Sequence, residues 1–287
     1  MEFWNTGWWW PTATVPLSMS PKLAGNIFVA EDGSLLFGYW REFKEWAATA
    51  DGPAVAGASE GSDRWSNPVP RPRQIFAIGL NYIDHAAESN MTLPDEPMVF
   101  TKFASSLCDP ISRVELPDDN GVDWEAEIVA VIGVGGRAIS EEDAWGHVAG
   151  LTLGQDISER NSQLAGSLPQ FSLGKSFAGF APVGPKIVTP DEFEDMNDIS
   201  FGCTVNGEEV QTGQTRDMIF STPAIISRLS QVVEFYPGDL IFTGTPPGVV
   251  MGRNPKRYLT DGDELTSRAD LIGELRQQFY SKKTAKL

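Results

Sequence analysis

Positive charge is scarce in this chain: 22 Lys and Arg stand against 39 Asp and Glu in 287 residues, a formal charge of −17. Such a polyanion is repelled by phosphate backbones and anionic lipid, so neither nucleic acid nor a membrane surface is an expected partner. An anionic substrate would need a local cation or metal to hold it. Cysteine is rarer still, with Cys108 and Cys203 alone, too few for a disulfide framework or a Cys-rich zinc site. A reducing, cytoplasmic setting is the expectation. Histidine is confined to His85 and His147, which leaves few general bases that titrate near neutrality. No Lys or Arg precedes Lys22, so the Trp-rich start (Trp4, Trp8, Trp9, Trp10) lacks the cationic onset of a secretory signal. Long apolar runs are missing too: Ile128 to Ile132 is strand-sized, far short of the roughly 20 residues that cross a bilayer.

What is present suffices for one large domain, or for a main domain with a smaller attachment. From Ala47 to Arg73 the chain is rich in Gly, Ala, Ser, Asp and Pro without an apolar period, and it reads as a linker. Before it lies a β-like piece, Asn26 to Phe37, with a turn at Glu31-Asp32-Gly33, then an amphipathic stretch around Tyr39 to Ala48. The boundaries expected are a small N-terminal region with its linker over 1–70 and a main domain over 71–287. Strands are expected at Gln74–Gly79, Met98–Lys102, Glu127–Gly133, Ile199–Val205, Asp239–Thr243 and Glu264–Arg268. Helices should start at Asn81, at Ser140 with Asp143 in capping-box spacing, and at Thr222 ahead of Pro223. The order suggests an α+β fold with much sheet and no regular βαβ repeat.

Three places carry candidate chemistry. Asp123, Glu125 and Glu127 alternate in a segment that runs into the apolar strand, so they should share a face near the core, where unpaired charge costs several kcal/mol. A divalent cation resolves the conflict, and oxygen ligands without Cys or clustered His suit Mg²⁺ or Mn²⁺ better than zinc. A solvated strand end is the plain alternative. Asp156, at the end of an apolar segment, is a possible further ligand or a helix cap. Second, His85 and Glu88 stand three apart in a loop turning into a helix, where the carboxylate can orient the imidazole; a surface pair fits the same spacing. His147 lies in an apolar helical run and reads as packed. Third, Gly- and Pro-rich turns present Lys175, Gln211, Thr215 and the run Thr243 to Gly248, whose donors suit a carboxylate or carbonyl, although each is equally a plain turn. The pattern Gly133-Val134-Gly135-Gly136-Arg137-Ala138 matches a loose dinucleotide fingerprint, but its helix starts too late for its N-terminus to face a pyrophosphate.

Six segments in order, IFAIGLNYIDHAAE, VDWEAEIVAVIG, GQDISER, GKSFAGFAPVGP, VNGEEVQTGQTRDMIF and PGDLIFTGTPPGV, resemble the fumarylacetoacetate hydrolase (FAH) superfamily across roughly Arg73 to Phe279. The resemblance implies a β-rich catalytic domain, a mixed β-sheet roll of the family's type, with Mg²⁺ or Mn²⁺ and a homodimer. It places the metal triad on Glu125, Glu127 and Asp156 and a lid-helix dyad on His85 and Glu88. Arg160, Gln163, Lys175 and Thr245 match positions that hold the oxo-acid or sit beside it. The expected reaction is hydrolytic C–C cleavage of a 2,4-dioxo acid of acylpyruvate type to pyruvate and a carboxylic acid, with Lys175 assisting. The alternative is decarboxylation or isomerisation of 2-oxo or 2-hydroxydienoic diacids, and a non-catalytic binding protein is the remote one.

Overall fold

The computed structural model describes residues 36–47, 65–88, 92–117 and 121–281. The expected β-like piece over 26–37 and most of the expected linker lie outside the described residues. Two mixed sheets carry the fold. The larger one has seven strands in the order β2 (Met98–Thr101), β1 (Ile75–Gly79), β12 (Leu240–Phe242), β6 (Ala126–Ile132), β7 (Val148–Gln155), β9 (Ala181–Val188) and β3 (Leu107–Cys108). The smaller has five, in the order β11 (Glu208–Gln214), β10 (Ser200–Val205), β13 (Glu264–Ala269), β14 (Gly273–Ser281) and β4 (Ile111–Leu116). A two-stranded ribbon, β5 (Val122–Asp123) with β8 (Ser158–Glu159), completes them. Helices are few and short: α1 (Trp40–Ala47), α2 (Ile83–Glu88), α3 (Ala144–His147), α4 (Arg160–Gln163), α5 (Phe171–Gly174) and α6 (Thr222–Ser230). The α+β class with extensive sheet is as expected.

The sequence of β6, AEIVAVI, explains its central place. All seven residues are buried, as an uninterrupted apolar run predicts for a strand covered on both faces. Ala126, Ile128, Ala130 and Ile132 enter one hydrophobic core, while Val129 and Val131 enter the other. Each such aliphatic side chain contributes about 1.5–3 kcal/mol on burial, so the sheet can carry polar strain at one end. By alternation Glu127 shares the Val129 side. Helix α1 packs on that second core through Trp40 and Phe43, beside Phe37. A Cβ on Gly133 would come within 2.4 Å of the Trp40 ring, so that glycine admits an indole. The dinucleotide reading fails on this packing and on α3, which begins only at Ala144.

Local signals held with small shifts. Ser140 donates to the Asp143 carboxylate at 2.6 Å and accepts from its N–H at 3.1 Å. The cap of α6 is Ser221, whose hydroxyl accepts from Ala224 N at 3.3 Å, one residue before the expected Thr222. His147 ends α3, and its Nδ1 lies 2.7 Å from the Val134 carbonyl, a packed role as read.

In the turn before β13, the buried Asp263 carboxylate accepts from Thr260 N at 2.7 Å, Asn206 Nδ2 at 2.7 Å and Arg257 Nη2 at 2.8 Å. Burial alone would raise its pKa, but these donors outweigh burial and hold the carboxyl below its ordinary value. A depressed carboxyl stabilises the fold above its unfolded pKa near 3.9 and loses that contribution as pH falls through the folded value. Asp263→Asn should therefore cost about 1 kcal/mol at pH 7, with the gap to wild type narrowing below about pH 4. Urea unfolding at neutral and acidic pH checks this, and a gap independent of pH would remove the charge as its source.

Candidate metal and acid-base centre

The register Ala126↔Gln155, Val129↔Phe242 and Ala77↔Phe242 brings the start of β6 beside the ends of β7, β12 and β1. Four chain segments thus meet at one end of the larger sheet. Glu125, Glu127 and Asp156 converge there, with ligand oxygens all within 4.8 Å of one another and all three residues buried. Asp123 does not join them. The chain leaves strand geometry at Trp124 and Glu125, between β5 and β6, which breaks the expected alternation. The break is fixed by two glutamines, since Gln155 Oε1 accepts from Glu125 N and Gln211 Oε1 from Ala126 N, both at 2.9 Å. Asp123 turns instead to Arg160, accepting from Nε at 2.8 Å and Nη2 at 2.6 Å.

Cations thread this cluster. Arg160 Nη2 also lies 2.7 Å from Glu125 Oε1, and Nη1 donates to Gln163 Oε1 at 2.8 Å. Lys175 Nζ bridges Glu125 Oε2 at 2.7 Å and Asp156 Oδ2 at 2.6 Å. Lys102, which the sequence reading did not single out as a site residue, reaches Asp156 Oδ1 at 2.6 Å and donates to the Lys175 carbonyl. Its signal was a single lysine closing the otherwise uncharged run MVFTKF. The four acids Asp123, Glu125, Glu127 and Asp156 therefore meet three cations, Arg160, Lys175 and Lys102. Burial would raise the Glu125 pKa, yet Lys175, then Arg160 and His85, pull it down to about 2. Glu127 is the acid left over. Among the described residues it has no cation in contact, only the Gly244 N–H at 2.8 Å. Burial first, then Asp156 and Glu125, push its carboxyl well above the ordinary range.

That leftover charge is the test of fit for a metal. Three buried carboxylates with converging oxygens and one negative charge in excess form a hard-oxygen donor set, which suits a divalent ion such as Mg²⁺ or Mn²⁺.

Helix α2 borders this centre, its His85 lining the same pocket as Glu125. Leu80, at φ +55, turns the chain sharply after β1. Asn81 pins that turn, donating to Thr243 O at 2.7 Å and Phe220 O at 2.9 Å and accepting from Phe220 N at 2.7 Å. His85 Nδ1 lies 3.0 Å from Glu88 Oε1. Glu88 is held in turn by Gly248 N–H, 3.0 and 3.1 Å from its two oxygens. Gly248 is fixed in turn because its carbonyl, in the next peptide, accepts from Arg253 Nε at 3.0 Å and Trp124 Nε1 at 3.2 Å. At φ +106, with a Cβ that would lie 2.1 Å from the Val210 carbonyl, only glycine fits there.

His85, Glu125, Arg160, Gln163, Lys175 and Thr245 line one pocket, with Glu88 bonded to His85, Asp156 to Lys175, and Glu127 in the acid cluster beside Glu125. Its cavity volume is about 40 Å³, room for a water or two. Gln211 and Thr215 correct the reading that put them in ligand-binding turns. Gln211 is a buried strand residue of β11 that donates to Thr245 Oγ1 and Pro246 O, both at 2.8 Å. Thr215 Oγ1 accepts from Ile199 N at 2.9 Å. The Thr245 hydroxyl itself donates to Ala126 O at 2.9 Å, so it offers the pocket an oxygen of fixed orientation.

Comparison with known proteins agrees with this geometry. Residues 74–280 match the fumarylacetoacetate (FAA) hydrolase C-terminal family. The chain is 45% identical over 207 residues to the human protein named oxaloacetate tautomerase FAHD2A, mitochondrial, covering 72% of this chain and 66% of that one, just under two thirds of its length. It is 46% identical over 239 residues to a 2,4-didehydro-3-deoxy-L-rhamnonate hydrolase of a Sphingomonas species, covering 82% and 83%. A crystal structure described as an HpcE protein of Mycobacterium smegmatis superposes with a TM-score of 0.84 at 49% identity, covering 91% and 92%. Among the described residues no helix is long and apolar enough to cross a membrane.

Glu127→Gln should separate the two demands on this centre. A raised carboxyl destabilises the fold increasingly as pH rises above the unfolded pKa near 4.3. The metal-free variant should therefore gain stability above that pH, on the order of 1–2 kcal/mol for a buried polar group relieved of charge. Its Mg²⁺ affinity should fall at least about 100-fold. Thermal unfolding without metal and titration calorimetry with it read both, and unchanged Mg²⁺ affinity would remove Glu127 from the ligand set.

Proposed function

The chain belongs to the fumarylacetoacetate hydrolase family, and on that premise we propose that it enolises a 2-oxo acid, as a divalent-metal-dependent tautomerase, isomerase or decarboxylase. The observation that carries this reading is the His85–Glu88 dyad set into the same pocket as Glu125, Arg160 and Lys175. The relative named as an oxaloacetate tautomerase supports it.

Glu125, Glu127 and Asp156 would hold Mg²⁺ or Mn²⁺, which supplies Lewis-acid polarisation of the acid's carboxylate and 2-oxo oxygens. The protein's own groups do the rest. An ionised Glu88 can only accept, so the proton between it and His85 sits on Nδ1 and leaves the Nε2 lone pair free. That lone pair takes a proton from C3, and the imidazolium, steadied by Glu88, delivers it to the enolate oxygen at C2 to give the enol; the reverse transfer restores the keto acid. Lys175 and Arg160 hold anionic oxygens, Gln163 steadies Arg160, and the Thr245 oxygen, its own hydrogen spent on Ala126 O, can accept from the enol hydroxyl.

Hydrolysis of a 2,4-dioxo acid is the second reading, supported by the hydrolase relative matched over most of both chains. There the same Nε2 would take its proton from water attacking the C4 carbonyl, and the products would be pyruvate and a carboxylic acid. The homodimer belongs to this proposal as well, and so does a cytoplasmic setting, against which the human relative's name places that protein in the mitochondrion.

Supplying oxaloacetate and 2,4-dioxopentanoate to the wild type with Mg²⁺, with chelator, and to His85→Ala tests the proposal. Enol–keto interconversion should require metal and fall about 10²–10⁴-fold in the variant. Pyruvate released from the dioxo acid faster than oxaloacetate tautomerises would favour hydrolysis. Equal rates in all three conditions would end both readings.

A further inference from the structure

We propose that Lys102 is a positioning residue that selects the metal: by occupying one oxygen of Asp156 it leaves that carboxylate a single ligand oxygen, which suits a small octahedral ion such as Mg²⁺ and disfavours Ca²⁺. The inference rests on the metal-dependent reading of the site and concerns a residue outside the ligand set.

The way the three carboxylates are partnered carries it. Each has one oxygen tied to a group that an incoming ion has no means to replace. Glu125 Oε1 lies 2.7 Å from Arg160 Nη2, and that guanidinium is anchored from behind by Asp123. Glu127 Oε2 accepts from the Gly244 N–H at 2.8 Å. Asp156 Oδ1 accepts from Lys102 Nζ at 2.6 Å. The oxygens left for an ion are the second one of Glu127 and the two that Lys175 Nζ bridges, Glu125 Oε2 at 2.7 Å and Asp156 Oδ2 at 2.6 Å.

The two lysines on Asp156 are not equivalent. Lys175 lines the pocket, and its Nζ stands 5.0 Å from the ring centre of Phe100, another lining residue. It can release both acids and keep an aromatic face and the water of the pocket. Lys102 is buried and lies outside that lining. Its Nζ also donates to the Lys175 carbonyl, and the backbone on either side is tied down, Thr101 N to Ser172 Oγ at 3.3 Å and Phe103 N to Ser176 Oγ at 2.9 Å. An ammonium stripped of Asp156 there would be a buried charge without a counterion, which is strongly unfavourable. A divalent ion therefore displaces Lys175 and leaves Lys102 in place.

One oxygen from each acid leaves the rest of the coordination sphere to water and substrate. Mg²⁺ suits this, being octahedral and reluctant to lose its waters, whereas Ca²⁺ gains from bidentate carboxylates and a higher ligand number. Freeing Asp156 Oδ1 would supply one more oxygen and favour the larger ion.

Lys102→Met tests this, since it keeps an unbranched buried stem and deletes the ammonium. Titration calorimetry of wild type and variant with Mg²⁺ alone and with Ca²⁺ alone gives the ratio of the two affinities. Loss of a positive charge strengthens binding of both divalent ions alike and cancels in that ratio. The ratio should shift toward Ca²⁺ by about tenfold or more. An unchanged ratio would overturn the proposal and leave the metal site intact, whereas a wild type that binds neither ion would overturn the proposal and the metal-dependent reading together. A crystal structure of the wild type with Mg²⁺ decides the point whether or not the variant folds. Asp156 Oδ2 on the ion with Oδ1 still on Lys102 supports the proposal, and both oxygens on the ion, or Lys102 turned away, overturns it.

Discussion

The constraint on which the structure turns is an excess of negative charge buried at the end of a hydrophobic sheet. Four carboxylates from two short segments are placed where water cannot solvate them, and three cations answer them. Each cation is shared: Arg160 between Asp123 and Glu125, Lys175 between Glu125 and Asp156, Lys102 between Asp156 and a backbone carbonyl. Sharing keeps the oxygens close together and apart from other partners. It also leaves Glu127 without a cation in contact, so a proton or a bound ion must neutralise that carboxylate. A site of this kind is poised for a divalent ion by its charge before any question of geometry arises.

Such a cluster is unfavourable to build, and the sheet offsets it. The strand that delivers Glu127 buries five aliphatic residues after it, on both faces, and its neighbours supply Leu151, Leu153, Leu240 and Phe242. Uncharged amides then do the positioning. Gln155, Gln211 and Asn81 bind backbone where the chain leaves regular structure beside Glu125, Thr245 and the start of α2, and so satisfy buried peptide groups there. The residue Gly248 extends this web to helix α2, because its carbonyl is fixed by Trp124 and Arg253 and its N–H by Glu88.

How much of this the residues disclosed depends on what kind of physics was involved. Strands with a plain apolar or alternating run were legible to within a residue or two, among them β1, β6, β10 and β13. Those that went unread have a physical excuse. The strand β9 contains Pro182, Gly184 and Pro185, which argue locally for a turn, and β14 buries Gln277 and Ser281 on its inner face, which breaks its hydrophobic alternation. At the site, residue spacing suggested that Asp123, Glu125 and Glu127 form one face. The family pattern named Asp156 in place of Asp123, and the fold brings Asp156 in through the pairing of β6 with β7. Lys102 was passed over because its partner is 54 residues away and a lone lysine in an uncharged run reads equally as the end of a strand.

The dyad and the acids leave the reaction open for a reason intrinsic to them. A free imidazole lone pair beside a polarised 2-oxo acid removes whichever proton is presented, from carbon or from water. The choice between enolisation and hydrolysis is then made by what lies within reach of Nε2. An acid that presents C3 to the imidazole is enolised, whereas one that leaves a water between the imidazole and C4 is hydrolysed, so the same base serves either reaction and the bound acid decides between them.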